Sequence, residues 1–161
     1  MRVREYHKSD IKQITALLQA NSQAQGGMLY GNFPLAKVTA MCQSALLCLI
    51  AEEAGDIVGV VFSFALDSKT LPPIALEIKR RYPKEIQDNW FYGPVCLAEN
   101  QRGKGMLAEL YHQLMARLYG LPIAFINVEN RVSLRAHTRL GMRELGTFDL
   151  EGKAWVALIG G

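Results

Sequence analysis

The amino-acid sequence predicts a mixed α/β fold in one domain covering residues 1–161, and three observations support this prediction. The length is sufficient for one hydrophobic core. Apolar residues make up 50% and charged residues 20% of the chain, which is typical of a folded globular protein. Short apolar runs with strand character alternate with segments of helical spacing, and no repeat or linker interrupts them.

The N-terminal part predicts one strand followed by two helices. Arg2–Tyr6 alternates polar and apolar side chains, as a half-buried strand does. Ser9 or Asp10 is a candidate cap for the first helix. The apolar residues of that helix share one face and are Ile11, Ile14, Leu17 and Leu18. Segment 21–32, rich in Gly, Gln and Asn, predicts a loop before a second helix at about 35–44.

The middle part predicts a hairpin, a short helix and another strand. Leu47–Glu52 and Ile57–Leu66 are apolar runs separated by a Gly-Asp turn signal, which indicates two antiparallel strands. In segment 69–88 two consecutive prolines begin a short helix. Trp90–Ala98 then returns to strand character.

The C-terminal part predicts two helices separated by a strand, and a final hairpin. Met106–Leu118 has leucines at helical spacing. Ile123–Val128 is a short strand and Arg131–Leu140 a helix. Gly146–Ile159 predicts two strands that turn at a Glu-Gly pair.

Composition argues against several classes of protein. The net charge of +3 is too small for a typical nucleic-acid binder. Apolar runs fall far short of the roughly 20 residues that a membrane span needs, and the N-terminus turns polar too early for a signal peptide. Three scattered cysteines without CxxC spacing argue against disulfides and against a metal site. We therefore expect a soluble cytoplasmic protein with no metal and no nucleic-acid or membrane partner.

Segment 95–108 joins an apolar strand to a helix through a loop that contains two glycines. The first amides of a helix have no partner inside it, and the helix dipole adds positive charge there, so an anion is favoured at that end. Gly103 and Gly105 allow the backbone to approach a phosphate closely, and Arg102 and Lys104 add full positive charges. The segment therefore predicts a polyphosphate site.

Two other interpretations of this loop stay open at the level of sequence. It is consistent with a plain solvated turn between a strand and a helix. It also satisfies the dinucleotide fingerprint as Gly103-x-Gly105-x-x-Ala108, with Glu129 where a ribose-binding acid would lie. Against that fingerprint, four polar residues separate the strand from the first glycine, and the preceding strands form a hairpin rather than βαβ units.

The loop resembles the acyl-CoA-binding motif of the GNAT superfamily of N-acetyltransferases, R/Q-x-x-G-x-G/A. The first five positions are filled by Arg102, Gly103, Lys104, Gly105 and Met106. The sixth, usually Gly or Ala, is Leu107, and Ala108 lies just beyond. A leucine at this position requires its Cβ to point away from the ligand.

A second patch resembles the family pattern N-x-x-A/S-x-x-x-Y-x-x-x-G-F. Asn130, Ser133 and Gly141 are in register with it, His137 occupies the Tyr position and Met142 the final aromatic position. Asn130 is also suited to cap the following helix. The two motifs have the order and separation of the family.

The resemblance implies a GNAT-like fold with a mixed, mostly antiparallel central sheet of six to seven strands and about four flanking helices. It implies an acyltransferase that moves an acetyl group from acetyl-CoA to a primary amine by direct attack in a ternary complex, without a covalent enzyme intermediate. Backbone groups of Val95, Cys96 and Leu97 would hold the pantetheine arm. Asn130 and Ser133 would complete the cofactor site.

Proton transfer requires an acid for the departing thiolate and a base for the amine. His137 is the candidate acid, with water, Tyr111 or Ser133 as alternatives. Glu99 is the candidate base.

Further alternatives remain for catalysis. Glu129 and Glu77 are other candidate bases, and Cys96 is a candidate nucleophile. A different function is a non-catalytic module of the same fold that binds or senses acyl-CoA.

The acceptor is expected to be a small-molecule or peptide amine. Its specificity is expected to depend on segments 21–32 and 69–88 and on the last hairpin. A homodimer is expected by analogy with the family.

Overall fold

A computed structural model describes residues 1–23 and 27–161, which form five α-helices and seven strands. The strands are β1 Arg2–Glu5, β2 Leu47–Glu53, β3 Asp56–Phe64, β4 Trp90–Leu97, β5 Pro122–Asn127, β6 Arg143–Leu150 and β7 Lys153–Ile159. The helices are α1 Ile11–Ala20, α2 Leu35–Ser44, α3 Pro73–Arg81, α4 Met106–Arg117 and α5 Arg131–Arg139. Of the predicted loop 21–32, residues 24–26 lie outside the described residues.

The strands form one sheet in the order β1-β2-β3-β4-β5-β7-β6. Each neighbouring pair is antiparallel except β4 and β5. Helices α1, α2 and α3 cover one face of the sheet, and α4 and α5 cover the other. The predicted mixed, mostly antiparallel fold is confirmed, with five helices in place of about four. A dinucleotide fold is ruled out because that fold requires a largely parallel sheet.

Both predicted hairpins close with two residues in the left-handed region. Ala54 and Gly55 have φ values of 52° and 84°, and Glu151 and Gly152 have 53° and 78°. Two-residue turns with positive φ match the right-handed twist of antiparallel strands, which explains why a short sequence signal located both turns.

The parallel ladder between β4 and β5 is very short. In the described part of the chain it comprises two residue pairs, Trp90 with Pro122 and Phe91 with Ile123. Both strands continue for several residues beyond these pairs. The sheet is therefore split between β4 and β5 over the second half of each strand.

Strand β4 also contains a bulge directly after this short ladder. Val95 lies opposite Val61 on β3, but Tyr92 lies opposite Ser63, so β4 has one residue more than its partner over this stretch. The extra residue falls at Gly93-Pro94. A bulge bends a strand and increases its local twist, which favours the divergence of β4 from β5.

The start of α1 is fixed by a polar cluster rather than by the predicted side-chain cap. Neither Ser9 nor Asp10 caps α1 with its side chain. The Asp10 carboxylate instead accepts the His7 amide at 2.7 Å and two bonds from the Arg4 guanidinium at 2.8 and 3.1 Å. Arg4 also donates to Glu52 on β2 at 3.1 Å. Because Asp10 is 6% exposed, its charge has to be compensated inside the protein, and Arg4 does this.

No helix among residues 1–23 and 27–161 combines the length and the apolar character needed to cross a membrane.

Replacing Asp10 with Asn tests the contribution of this cluster to stability. Arg4 holds the pKa of Asp10 below its ordinary value, so the stabilisation is present above about pH 4 and lost as the pH falls through the folded-state pKa. We expect Asp10→Asn to lower the free energy of unfolding by about 1–3 kcal/mol at pH 7. Urea titrations should show this difference between the wild type and the variant shrinking below about pH 4. The control Glu53→Gln, at an exposed end of β2, should leave the free energy of unfolding unchanged. A difference that did not depend on pH would contradict the assignment.

Candidate active site

The loop before α4 presents a row of unpaired amides. Gly103 and Gly105 adopt φ values of 76° and 81°, and a methyl group built on either would meet no atom within 4 Å. The first bond inside the helix runs from the Glu109 amide to the Gly105 carbonyl at 3.1 Å. Among the described residues, the amides of 103–108 have no recorded acceptor. Left-handed glycines followed by a helix N-terminus form a concave set of donors suited to an anion.

Two cations lie at the same loop. Arg102 and Lys104 are both exposed. The Arg102 guanidinium donates to Asn21 Oδ1 at 2.6 Å, at the end of α1. The loop is therefore tied to the beginning of segment 21–32, which was predicted to influence acceptor specificity.

Helix α4 is anchored close to the sheet by its first residue. Met106 is 2% exposed, and its sulfur would lie 2.9 Å from a Cβ built on Gly59 of β3. The absence of a side chain on Gly59 thus lets the helix N-terminus approach the sheet. Leu107 and Ala108, which follow, are half-buried.

In the part of the chain that the structure describes, the edge of β4 that faces the split has backbone groups without a strand partner. The Ala98 amide donates to Val58 of β3 at 2.8 Å, and Cys96 is paired with Val60. Since the direction of backbone groups alternates along an antiparallel ladder, those of Cys96 point to β3 and those of Val95 and Leu97 point to the split. Of the three residues predicted to hold the pantetheine arm, Val95 and Leu97 therefore present their backbone groups to the split, whereas the backbone groups of Cys96 are directed to β3.

The Cys96 thiol lies on the face of the sheet that α1, α2 and α3 cover. Its sulfur lies 3.6 Å from the Leu17 carbonyl of α1. Burial raises the pKa of Cys96 to about 12, although the positive charge of Arg102 acts in the other direction. The thiol is thus protonated at neutral pH, which argues against a role as nucleophile.

The second motif forms the start of α5 as predicted. Asn130 Oδ1 accepts the Ser133 amide at 3.2 Å and caps the helix. His137 is 2% exposed. Its Nδ1 lies 2.8 Å from the Ser133 carbonyl and its Nε2 lies 2.9 Å from the hydroxyl of Tyr92. Met142 is buried where the family pattern has an aromatic residue.

Comparisons with known proteins find matches by structure and not by sequence. Neither family models nor curated proteins match the sequence. A ribosomal-protein-alanine N-acetyltransferase from Brucella melitensis is 20% identical with a TM-score of 0.69, covering 99% of this chain and 98% of its own. A GNAT-superfamily phosphinothricin acetyltransferase from Sinorhizobium meliloti, in complex with AcCoA, is 18% identical with a TM-score of 0.71, covering 98% and 86%. An aminoglycoside 6'-N-acetyltransferase complexed with coenzyme A is 13% identical with a TM-score of 0.68, covering 99% and 96%.

The chain has the GNAT fold. The split between β4 and β5 leads directly into the loop before α4. Both are formed by consecutive residues of β4 and the segment that follows it.

Within this GNAT fold, His137 is a buried side chain and does not project freely into a cleft. Both ring nitrogens have partners inside the protein, and burial lowers the pKa of His137. Its assignment as the acid stays a prediction, and the structure adds Tyr92 as its partner. Tyr92 was missed because simple alternation along β4 places it on the face of Cys96. The bulge shifts it to the face of Val95 instead.

The three candidate bases differ in their surroundings. Glu77 is bonded to Arg80 and Arg81, which lower the pKa of Glu77 to about 2 and make it a weak base. Glu129 is exposed in the turn after β5. Glu99 is exposed at the end of β4, beside the loop of 102–105, and stays the predicted base.

Proposed function

We propose that the protein is an acetyl-CoA-dependent N-acetyltransferase that moves an acetyl group to a primary amine by direct attack in a ternary complex. The observation that carries the proposal is the continuity of two unpaired surfaces. Within the described residues, the free backbone edge at Val95 and Leu97 leads directly into the amides of 103–108, for which no acceptor is found. A linear ligand with amides in one half and a diphosphate in the other fits that sequence of donors and acceptors.

The loop supplies charge as well as donors. Arg102 and Lys104 would balance the diphosphate, and the open space beside Gly103 and Gly105 admits its oxygens. The bound thioester would supply an activated acetyl group. The chain's own contribution is to hold it against the β4 edge and to exclude water, which converts the reaction into one between oriented groups.

The acceptor is proposed to be a small-molecule or peptide amine that approaches from the face of α1, α2 and α3. Two of the segments predicted to set specificity meet there with the last hairpin. Tyr30, from the 27–32 part of the loop, packs edge-on against Trp155 with ring centroids 4.9 Å apart. Arg81 at the end of α3 lies 5.2 Å from the ring of Phe148. We propose Glu99, directly or through water, as the base that prepares the amine.

The proposal predicts thermal stabilisation by CoA and acetyl-CoA but not by NAD(H). A ligand at one hundred times its Kd adds about 2.7 kcal/mol to the free energy of unfolding, which a melting curve detects. A panel of amines incubated with acetyl-CoA should then release free thiol with at least one acceptor. CoA binding without thiol release would favour the non-catalytic sensing module, and stabilisation by NAD(H) alone would contradict both.

Gly105→Asp should weaken CoA binding because it places a carboxylate against the proposed diphosphate position. We expect the Kd measured by calorimetry to rise at least about tenfold, equivalent to about 1.4 kcal/mol. Gly152→Asp is a matched control, because Gly152 has a similar φ of 78° and equally open surroundings in the β6–β7 turn. Equal loss of affinity in both variants would show that the loop of 102–105 is not the diphosphate site.

A further inference from the structure

Tyr92 and His137 form a buried pair at the point where β4 and β5 separate. Tyr92 directly follows Phe91, the last β4 residue paired with β5. Its hydroxyl lies 2.9 Å from Nε2 of His137, and the two rings meet edge-on with centroids 5.3 Å apart. Because His137 belongs to α5, which follows β5, the contact connects the two sides of the split on the face of α4 and α5.

The partners of His137 fix the position of its proton. The Ser133 hydroxyl, 3.3 Å from Nδ1, can donate or accept, but the Ser133 carbonyl, at 2.8 Å, only accepts, so Nδ1 carries the hydrogen. In the neutral ring Nε2 is then an acceptor, and the Tyr92 hydroxyl donates to it. Burial lowers the pKa of His137 and raises the pKa of Tyr92, so both groups are neutral at pH 7. The phenol of Tyr111, from α4, is the titratable group recorded on the other side of Tyr92, with ring centroids 5.6 Å apart.

This arrangement can hold an extra proton only transiently, because burial lowers the pKa of His137. A hydroxyl that donates to a neutral imidazole keeps its oxygen lone pairs available, and it becomes a stronger proton acceptor when its own hydrogen can move to the ring. The carbonyl of Ser133 stabilises the positive charge that would then form on His137.

We propose that Tyr92 is a catalytic residue that relays protons during acetyl transfer, and that His137 is a positioning residue that acts through it. The inference rests on the proposed function and revises the prediction that His137 is itself the acid. Tyr92 has no counterpart in either sequence motif.

The relay accounts for the proton that passes from nitrogen to sulfur, once Glu99 has taken the first proton of the ammonium and released it to water. Acetyl transfer forms a carbon–nitrogen bond, breaks a carbon–sulfur bond, removes one proton from nitrogen and adds one to sulfur. The amine reaches the thioester through the split from the face of α1, α2 and α3. The Tyr92 oxygen, at the start of the split on the other face, takes the proton from the attacking nitrogen as its own phenolic proton moves to Nε2 of His137. The imidazolium then returns its proton to the Tyr92 oxygen, and the proton that this oxygen took from nitrogen passes to sulfur. Nδ1 stays protonated on the Ser133 carbonyl throughout.

Tyr92→Phe tests the relay with little change in volume. We expect kcat with acetyl-CoA and the best amine of the panel to fall about 100-fold, the usual range for a lost acid–base group. The Kd for CoA should change by less than about twofold, because the backbone edge and the loop are untouched. Tyr6→Phe removes the hydroxyl of a half-buried tyrosine on the opposite face and should leave kcat unchanged.

Three further variants separate the relay from a structural role. His137→Phe should show a similar loss, and the double variant Tyr92→Phe/His137→Phe should lose no more than about threefold beyond either single variant, because residues that act as a unit are not additive. Tyr111→Phe should retain much more activity than Tyr92→Phe. Full activity of Tyr92→Phe, additive losses, or a loss found only in Tyr111→Phe would each overturn the proposal.

The protein alone provides a readout that does not depend on turnover. Nitrogen-15 NMR of the imidazole at pH 7.5 should show His137 neutral, with the proton on Nδ1. A proton on Nε2 or a cationic ring would overturn the relay even if acetyl transfer is confirmed. A wild-type protein that releases no thiol with any amine, but shows the predicted tautomer, would contradict the proposed function and limit Tyr92–His137 to a structural contact.

Discussion

The early end of the pairing between β4 and β5 is the constraint on which the rest of this site depends. A parallel ladder two residue pairs long leaves the backbone groups of Val95 and Leu97 without a strand partner. Such groups are costly to leave unsatisfied inside a protein, so they favour a ligand that supplies the missing hydrogen bonds. The bulge in β4 and the helix that follows it maintain this geometry.

Three contacts adapt the remainder of the fold to the split. Gly59 lets Met106 pack close to β3, which aims the unpaired amides of α4 at the end of the free strand edge. The contact between Tyr92 and His137 connects β4 to α5 on the same face. Arg102, bonded to Asn21, links the charged loop to the face from which the acceptor is proposed to approach. The site is thus assembled around one discontinuity in the sheet.

Local features were predictable from the sequence, whereas features that depend on register were not. The two hairpin turns, the Asn130 cap and the glycine loop each depend on a few neighbouring residues, and each was found. The bulge in β4 depends on pairing with β3, and it determines the face on which Tyr92 lies. The cluster around Asp10 was also missed, because Glu52 reaches it from a distant part of the chain. Non-local pairing therefore limits how much of the candidate site a single sequence reveals.

A crystal structure of the protein with bound CoA would test the central claim most directly. The account predicts diphosphate oxygens within about 3.2 Å of amides in the 103–108 segment. It also predicts pantetheine amides bonded to the backbone of Val95 and Leu97, in place of the missing strand pairs. CoA bound elsewhere, with the split between β4 and β5 closed by direct pairing of the two strands, would contradict it.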